Sequence, residues 1–279
     1  MKKMIAILCL LVLAGCSDAY ASINNAKETV FTVGSTTVTR GDLYNYMKAQ
    51  DGGYTAVNTA MENILNANVE VTEDMNKSVE DTLAMYESLL GENLESYIMS
   101  MGYASLEAFK NDMLLSEQAT ALTAKYVETN FELLCGTYAP KKVKIAVFAD
   151  QETALKAQTE LKNGADFAEV SETYKSTGSK DSIIFTTQSS YPTAVTYAVS
   201  ELTDGMVSDV VTNEKSFYVV VMEKTNALDF KDEAVNTIAA ISKVSNDALM
   251  SSIEAAGFHI YDKNLYDAIA KNYPDYLSE

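Results

Sequence analysis

Directly after Pro140 the apolar side chains of this chain fall at every second position, Val143, Ile145 and Val147, alternating with Lys142, Lys144 and Ala146. Before Pro140 and beyond about Phe230 they recur every three or four positions instead. A period of two presents one face of a strand, and a period of 3.6 presents one face of a helix. The chain must therefore build a sheet in its middle and helices on both sides of it.

The middle continues in the same terms. QETALKAQTELK (151–162) reads as a helix closed by Gly164, and NGADFAEVSETYKSTGSKD (163–181) carries Phe167, Val170 and Tyr174 at helical spacing. Ile183–Phe185 reads as a short strand, Pro192 as the first residue of another helix, and SDVV and SFYVVVMEK as two strands joined by a turn. The order is β-α-α-β-α-β-β over about 142–224.

The flanks are helical. TVFTVGSTTVTRGDLYNYMK reads as a hairpin about Gly34-Ser35 followed by a helix, with Thr39 and Asp42 at capping-box spacing. Val71-Thr72-Glu73-Asp74 opens a helix that continues to Gly91; Ser105 caps another, with Leu106, Phe109, Met113 and Leu114 on one face, running to about Gly136. After Phe230 the pattern is helical again, GFHIYD (257–262) reads as a brief strand, and Asp262 caps a last helix ending before Pro274. The simplest arrangement is one helical domain interrupted by the α/β segment.

The first fifteen residues belong to neither part. Lys2 and Lys3 precede an apolar run, Met4 to Ala14, too short to span a bilayer as a helix, which reads as a secretory signal. It ends Leu13-Ala14-Gly15-Cys16, similar to a bacterial lipobox, which implies a mature chain beginning at a lipidated Cys16. Residues 16–28 are small and polar, as suits a tether between lipid and fold. These features predict placement on the extracytoplasmic face of a bacterial membrane. Cys135 is then the only remaining thiol, which rules out an internal disulfide or a cysteine metal site.

The formal charge is −18, and loss of the two leader lysines makes it −20. Such acidity excludes a basic nucleic-acid footprint and electrostatic adhesion to anionic lipid. No phosphate loop, dinucleotide fingerprint, EF-hand, HExxH or CxxC occurs, and no metal or cofactor is expected. The single histidine, His259, has no nucleophile motif near it.

Several segments together resemble a known family. Lys162–Glu169, Ser171 with Tyr174, Thr177–Ser179, Pro192, Leu202 with Gly205 and Ser208, and the strand about Phe217–Val220 are similar to parvulin-type peptidylprolyl isomerases. The hairpin, the helices of residues 71–113 and the closing IYDKNLYDAI resemble the flanks of PrsA-type foldase lipoproteins, relatives of the SurA chaperones. The resemblance implies an α+β fold: a helical chaperone lobe built from residues 29–139 and 226–279, with a parvulin-like domain, 140–225, inserted. It also implies unfolded or nascent secreted proteins as partners, anchoring through the lipid, and leaves a homodimer open.

Rotation about an X-Pro bond is slow because amide resonance must be lost, and a catalyst must bind the twisted amide best. The family does so with two histidines, a nearby Cys or Asp, and a Met and a Phe lining the pocket. Here the resemblance carries the two histidine positions onto Lys144 and Tyr218, the acid onto Asp181, and the Met and Phe positions near Ser190 and Ala194. Lys144 and Tyr218 are expected to be neighbours within hydrogen-bonding reach. A lysine has three donors and no acceptor, so it cannot replace an imidazole, and weak or no isomerase activity is expected. Phe185, Ser190, Tyr191, Ala194 and Tyr218 are the expected peptide-contacting residues. Two alternatives stay open: an isomerase with an atypical site, and a lipoprotein binding one small ligand or surface partner. Seven of twelve methionines (Met47, Met61, Met75, Met85, Met99, Met101 and Met113) fall in the first helical region, a hint of an adaptable binding surface.

Overall fold

The computed structural model describes residues 23–277; the apolar leader and Cys16 lie outside them. A hairpin of β1 (Thr29–Val33) and β2 (Thr36–Thr39) leads into α1 (Arg40–Asn68), α2 (Glu73–Leu90), α3 (Leu94–Ser100), α4 (Leu106–Thr129) and α5 (Phe131–Tyr138). Then follow β3 (Lys141–Phe148), α6 (Gln151–Lys162), α7 (Phe167–Thr173), β4 (Lys180–Phe185), α8 (Thr193–Glu201), β5 (Val211–Asn213) and β6 (Ser216–Lys224). The chain closes with α9 (Lys231–Ala239), α10 (Ser242–Ala256) and α11 (Lys263–Asn272). The fold is α+β, and none of the described helices is long and apolar enough to cross a membrane.

The described residues form two compact units, one of residues 23–119 together with 249–277, the other Thr120–Ala248. In the first, the capping box forms as expected: Asp42 N–H donates to Thr39 Oγ1 at 3.2 Å and Thr39 N–H to Asp42 Oδ2 at 2.9 Å. The two hydrogen bonds from Thr39 hold the Asp42 carboxyl below its usual range. Thr72 caps α2 through Met75 N–H. The α2 face bearing Val79 and Leu83 packs on Leu94, Ile98 and Phe109, with Tyr86 and Tyr103 edge-on to the Phe109 ring.

The C-terminal segment joins this unit through α11, which packs along α1. Gly53 lies at this contact, where a Cβ would meet Ala268 Cβ at 3.4 Å, an ordinary van der Waals distance. Lys48 Nζ on α1 reaches Asp262 Oδ2 at 2.8 Å, with both side chains over nine-tenths buried. Oδ1 of the same carboxylate accepts from Leu265 N–H at 3.0 Å and so caps α11. One buried carboxylate thus starts the last helix and ties it to a helix 214 residues earlier.

In the second unit the four strands are antiparallel in the order β4-β3-β6-β5. β3 and β6 are central and buried on both faces. One face packs Val143, Ile145, Val220 and Met222 against Phe185 and the α8 residues Val195 and Val199. The other packs Ala146, Phe148 and Val219 against Ala154, Ala157 and Leu161 of α6 and Phe167 and Val170 of α7. Asp166 caps α7 through the N–H groups of Ala168 and Glu169, and Tyr174 Oη donates to Glu160 Oε1 at 2.7 Å. A further core of Val127, Leu134, Tyr138, Val235, Ile238 and Val244 joins α4, α5, α9 and α10.

Three local expectations are corrected. The helix expected from Ser105 to about Gly136 is divided at Asn130, whose backbone leaves the helical region at φ −108° and ψ 21°. GFHIYD is irregular: Gly257 at φ +69° ends α10, and among the described residues no strand lies beside it. Pro192 is the N-cap of α8, one position outside the helix.

The buried pair gives a direct test. Lys48→Met removes the ammonium from a carboxylate that stays inside, a change that typically costs about 3–5 kcal/mol. Urea unfolding should show a loss of that order; an unchanged midpoint would mean that the pair does not hold α11 to α1.

Candidate functional site

The two faces of the central sheet differ in chemistry, and strand alternation decides which side chain lies on which. In the β3–β6 ladder, Lys144 stands opposite Val221 and Tyr218 opposite Val147. Lys144 therefore shares the face of Ala146 and Phe148, covered by α6 and α7, whereas Tyr218 packs with Val147 against the α8-side core. The two residues are not neighbours. The expected hydrogen bond between them is corrected: they point to opposite sides of one sheet.

On the α6/α7 side Lys144 has its own partners. Its Nζ lies 2.8 Å from Asp181 Oδ1, 3.6 Å from Glu223 Oε1, and 5.6 Å from the centre of the Phe167 ring. The hydrogen bond to Asp181 raises the lysine pKa against the opposing pull of partial burial, so the ammonium stays charged. Asp181 thus sits on β4 with Lys144, half-exposed and away from Tyr218. Glu223 is the member of this cluster that the sequence did not reveal. Its Oε2 is buried, and among the described residues nothing hydrogen-bonds to it.

On the α8 side the lining is apolar and aromatic. Phe185 is buried, its ring centre 5.6 Å from that of Tyr191. Tyr191 and Tyr218 are half-buried and pack against the same core, while Ser190 and Ala194 are exposed. Burial, with a smaller contribution from nearby Tyr218, raises the Tyr191 pKa, which keeps its hydroxyl protonated. The apolar core of this face carries the Tyr191 and Tyr218 hydroxyls, and at its edge Lys141 Nζ donates to Val199 O at 2.9 Å and Ser200 O at 3.1 Å at the end of α8. His259 lies exposed in the irregular segment after α10 and belongs to the other compact unit. Among the described residues no group of three His, Cys, Asp or Glu side chains is arranged to hold a metal ion.

Cys135 is half-buried on α5, and desolvation raises its pKa, which disfavours a nucleophilic thiolate. It lines an open cleft of about 470 Å³ with Phe131, Pro140, Lys141, Asn226 and Leu228. Of the seven methionines noted in the sequence, Met47, Met85, Met99 and Met101 are exposed, Met113 packs into the α2–α4 core, and Met61 receives Tyr276 Oη at 3.7 Å.

Residues 135–236 match the PPIC-type PPIASE domain family. Foldase protein PrsA 1 of Listeria innocua is 27% identical over 292 residues, covering 96% of this chain and 91% of that protein. Foldase protein PrsA 1 of Listeria monocytogenes is 27% identical over 302 residues, covering 99% and 95%. Among solved structures, the foldase protein PrsA of Streptococcus pneumoniae superposes with a TM-score of 0.50 at 19% identity, covering 90% of this chain and all of that one. The peptidylprolyl isomerase (PrsA) of Bacillus cereus gives 0.51 at 17%, covering 88% and 98%. These structural likenesses extend the shared fold to both flanks of the matched domain.

The assignment of faces can be measured by double-mutant cycles. Lys144 and Asp181, a partly exposed pair, should couple by about 0.5–1 kcal/mol. Lys144 and Tyr218 should be additive within about 0.5 kcal/mol. A Lys144–Tyr218 coupling well above that would place both on one face.

Proposed function

We propose, from the premise that this chain belongs to the PrsA-type foldases and carries a PPIC-type parvulin domain, that it is an extracytoplasmic chaperone whose parvulin-like domain binds extended polypeptide without efficient isomerisation. In this reading the helical lobe of residues 29–139 and 226–279 and the domain of residues 140–225 act on secreted proteins as they fold. Cys16 carries the lipid that keeps the protein at the outer face of the cell membrane, where unfolded chains emerge.

One observation carries the binding reading: the α8-facing side of the sheet presents tyrosines on an apolar floor, and the lysine at the other family position is turned to the opposite side, in an ion pair with Asp181. Stabilising a twisted amide takes positioned polar groups in a water-poor site. Two phenols on a half-buried wall supply contact area and hydrogen bonds for an extended chain instead. The exposed methionines of the first unit support an adaptable client surface, since thioethers repack around varied partners.

Two assays test the proposal together. The chain from residue 23 onward should slow aggregation of a reduced, unfolded secreted protein at near-stoichiometric ratio. In a protease-coupled assay it should leave the slow phase of an X-Pro tetrapeptide at the uncatalysed rate, tens to hundreds of seconds. A clear protein-dependent acceleration, lost in Tyr218→Phe, would establish the alternative, an isomerase with an atypical site. Failure to suppress aggregation would remove the chaperone reading.

A further inference from the structure

We propose that the outer edge of β1 is a docking edge for an extended, uncharged or basic polypeptide segment, which adds to the hairpin as a third strand. The inference rests on the chaperone reading for the identity of the partner, and on the hairpin itself for the site.

From Thr29 to Thr39 the chain runs eleven residues, TVFTVGSTTVT, without a charge or a proline. Valine, phenylalanine and threonine favour extended backbone, and a charged residue or proline is how proteins usually protect an open strand edge. All five residues of β1 are exposed, including Val30, Phe31 and Val33, and among the described residues β1 pairs only with β2. β2 is half-covered where it meets α1, so β1 is the open side.

The hairpin geometry aims the edge. Gly34 at φ +59° makes the two-residue turn, and Val33 and Thr36 form the closing pair. In an antiparallel ladder the next pair, Thr32 with Thr37, directs its N–H and C=O groups outward. Val30 is the extra residue of a bulge, which leaves Phe31–Val33 as the regular stretch. The base is fixed. Arg40 pairs with Glu28 at 2.7 Å, Arg40 N–H donates to Glu28 O, and Gly41 N–H donates to Ala26 O, both at 2.8 Å. A two-stranded ribbon with no core of its own is marginal in water; here it is held at one end and left bare at the other. On the first turns of α1, Leu43, Tyr46 and Met47 are also exposed.

Charge selects the occupant. The compact unit that holds the hairpin carries, from residue 23 to 119 and from 249 to 279, 20 acidic and 7 basic side chains, a balance of −13. A second copy would bring the same charge against it, whereas a segment flanked by lysine or arginine is drawn in. Main-chain hydrogen bonds give such docking its affinity with little demand on sequence, which suits an unfolded client.

The test uses fluorescence anisotropy with the protein from residue 23 onward and a labelled nonapeptide of alternating Thr and Val flanked by lysines. Two further peptides complete the set: one N-methylated at alternate residues so that its bonding edge is blocked, and one with glutamates in place of the lysines. The methylated and acidic peptides should each bind at least tenfold more weakly than the parent. Thr32→Pro, which removes an outward donor and no ladder bond, should weaken parent binding by a similar factor with the circular dichroism unchanged. Equal binding of parent and methylated peptides to the unaltered protein overturns the proposal, and that comparison stands even where Thr32→Pro does not fold. A dimer in sedimentation velocity that Thr32→Pro dissolves would also overturn it, assigning the edge to a second copy. Aggregation suppression separates the two readings: a folded Thr32→Pro variant that retains full suppression overturns the hairpin's role and leaves the chaperone intact. Loss of suppression in both proteins with peptide binding preserved would do the reverse.

Discussion

The register between β3 and β6 is the constraint on which the rest of the inserted domain depends. Both strands are buried on both sides, so each residue is committed to one of two helical layers, and a shift of one position would exchange every side chain between them. With Lys144 opposite Val221, the lysine is placed among Asp181, Glu223 and Phe167, and Tyr218 among Val147, Val211 and Tyr191. The charged cluster and the aromatic wall are thus separated by the thickness of a sheet. The apolar side carries the tyrosine hydroxyls and not the Lys144 ammonium, which stays with Asp181 on the other side.

Much of this was legible in the residues. Capping residues marked the helix starts correctly at Thr39, Ser105 and Asp262, because a side-chain oxygen three residues ahead of an orphan N–H is a local signal. Helix α6 has the bounds read from its sequence, and the helix of Phe167 and Val170 lies where the spacing put it. The break at Asn130 was hidden because the apolar pattern runs through it and the i−4 backbone bonds continue on both sides. The expected strand at 257–262 failed for a non-local reason: alternation in FHIY is worth nothing without a neighbouring strand to pair with.

The candidate site was legible in its parts and not in its arrangement. Lys144 could be assigned a side from Val143 and Ile145, but β6 carries Val219, Val220 and Val221 in succession, with the first two fully buried on opposite faces. A run of three valines erases the alternation that would have told which way Tyr218 points. Glu223 was missed for the same reason, since its place beside Lys144 follows only from the ladder. In the helical unit, the tie between Lys48 and Asp262 spans most of the chain, and nothing local announced it.

Exchange spectroscopy decides whether the domain holds extended chains on its α8 side without turning their prolyl bonds. With an isotope-labelled X-Pro peptide and the unlabelled protein, cis–trans exchange cross-peaks report catalysis; with the labelling reversed, shifts at Tyr191 and Tyr218 report contact. Binding without isomerisation gives shifts at those two tyrosines, unchanged resonances at Lys144 and Asp181, and no growth of the exchange peaks. Exchange peaks that grow with protein concentration, or shifts centred on Lys144, would contradict it.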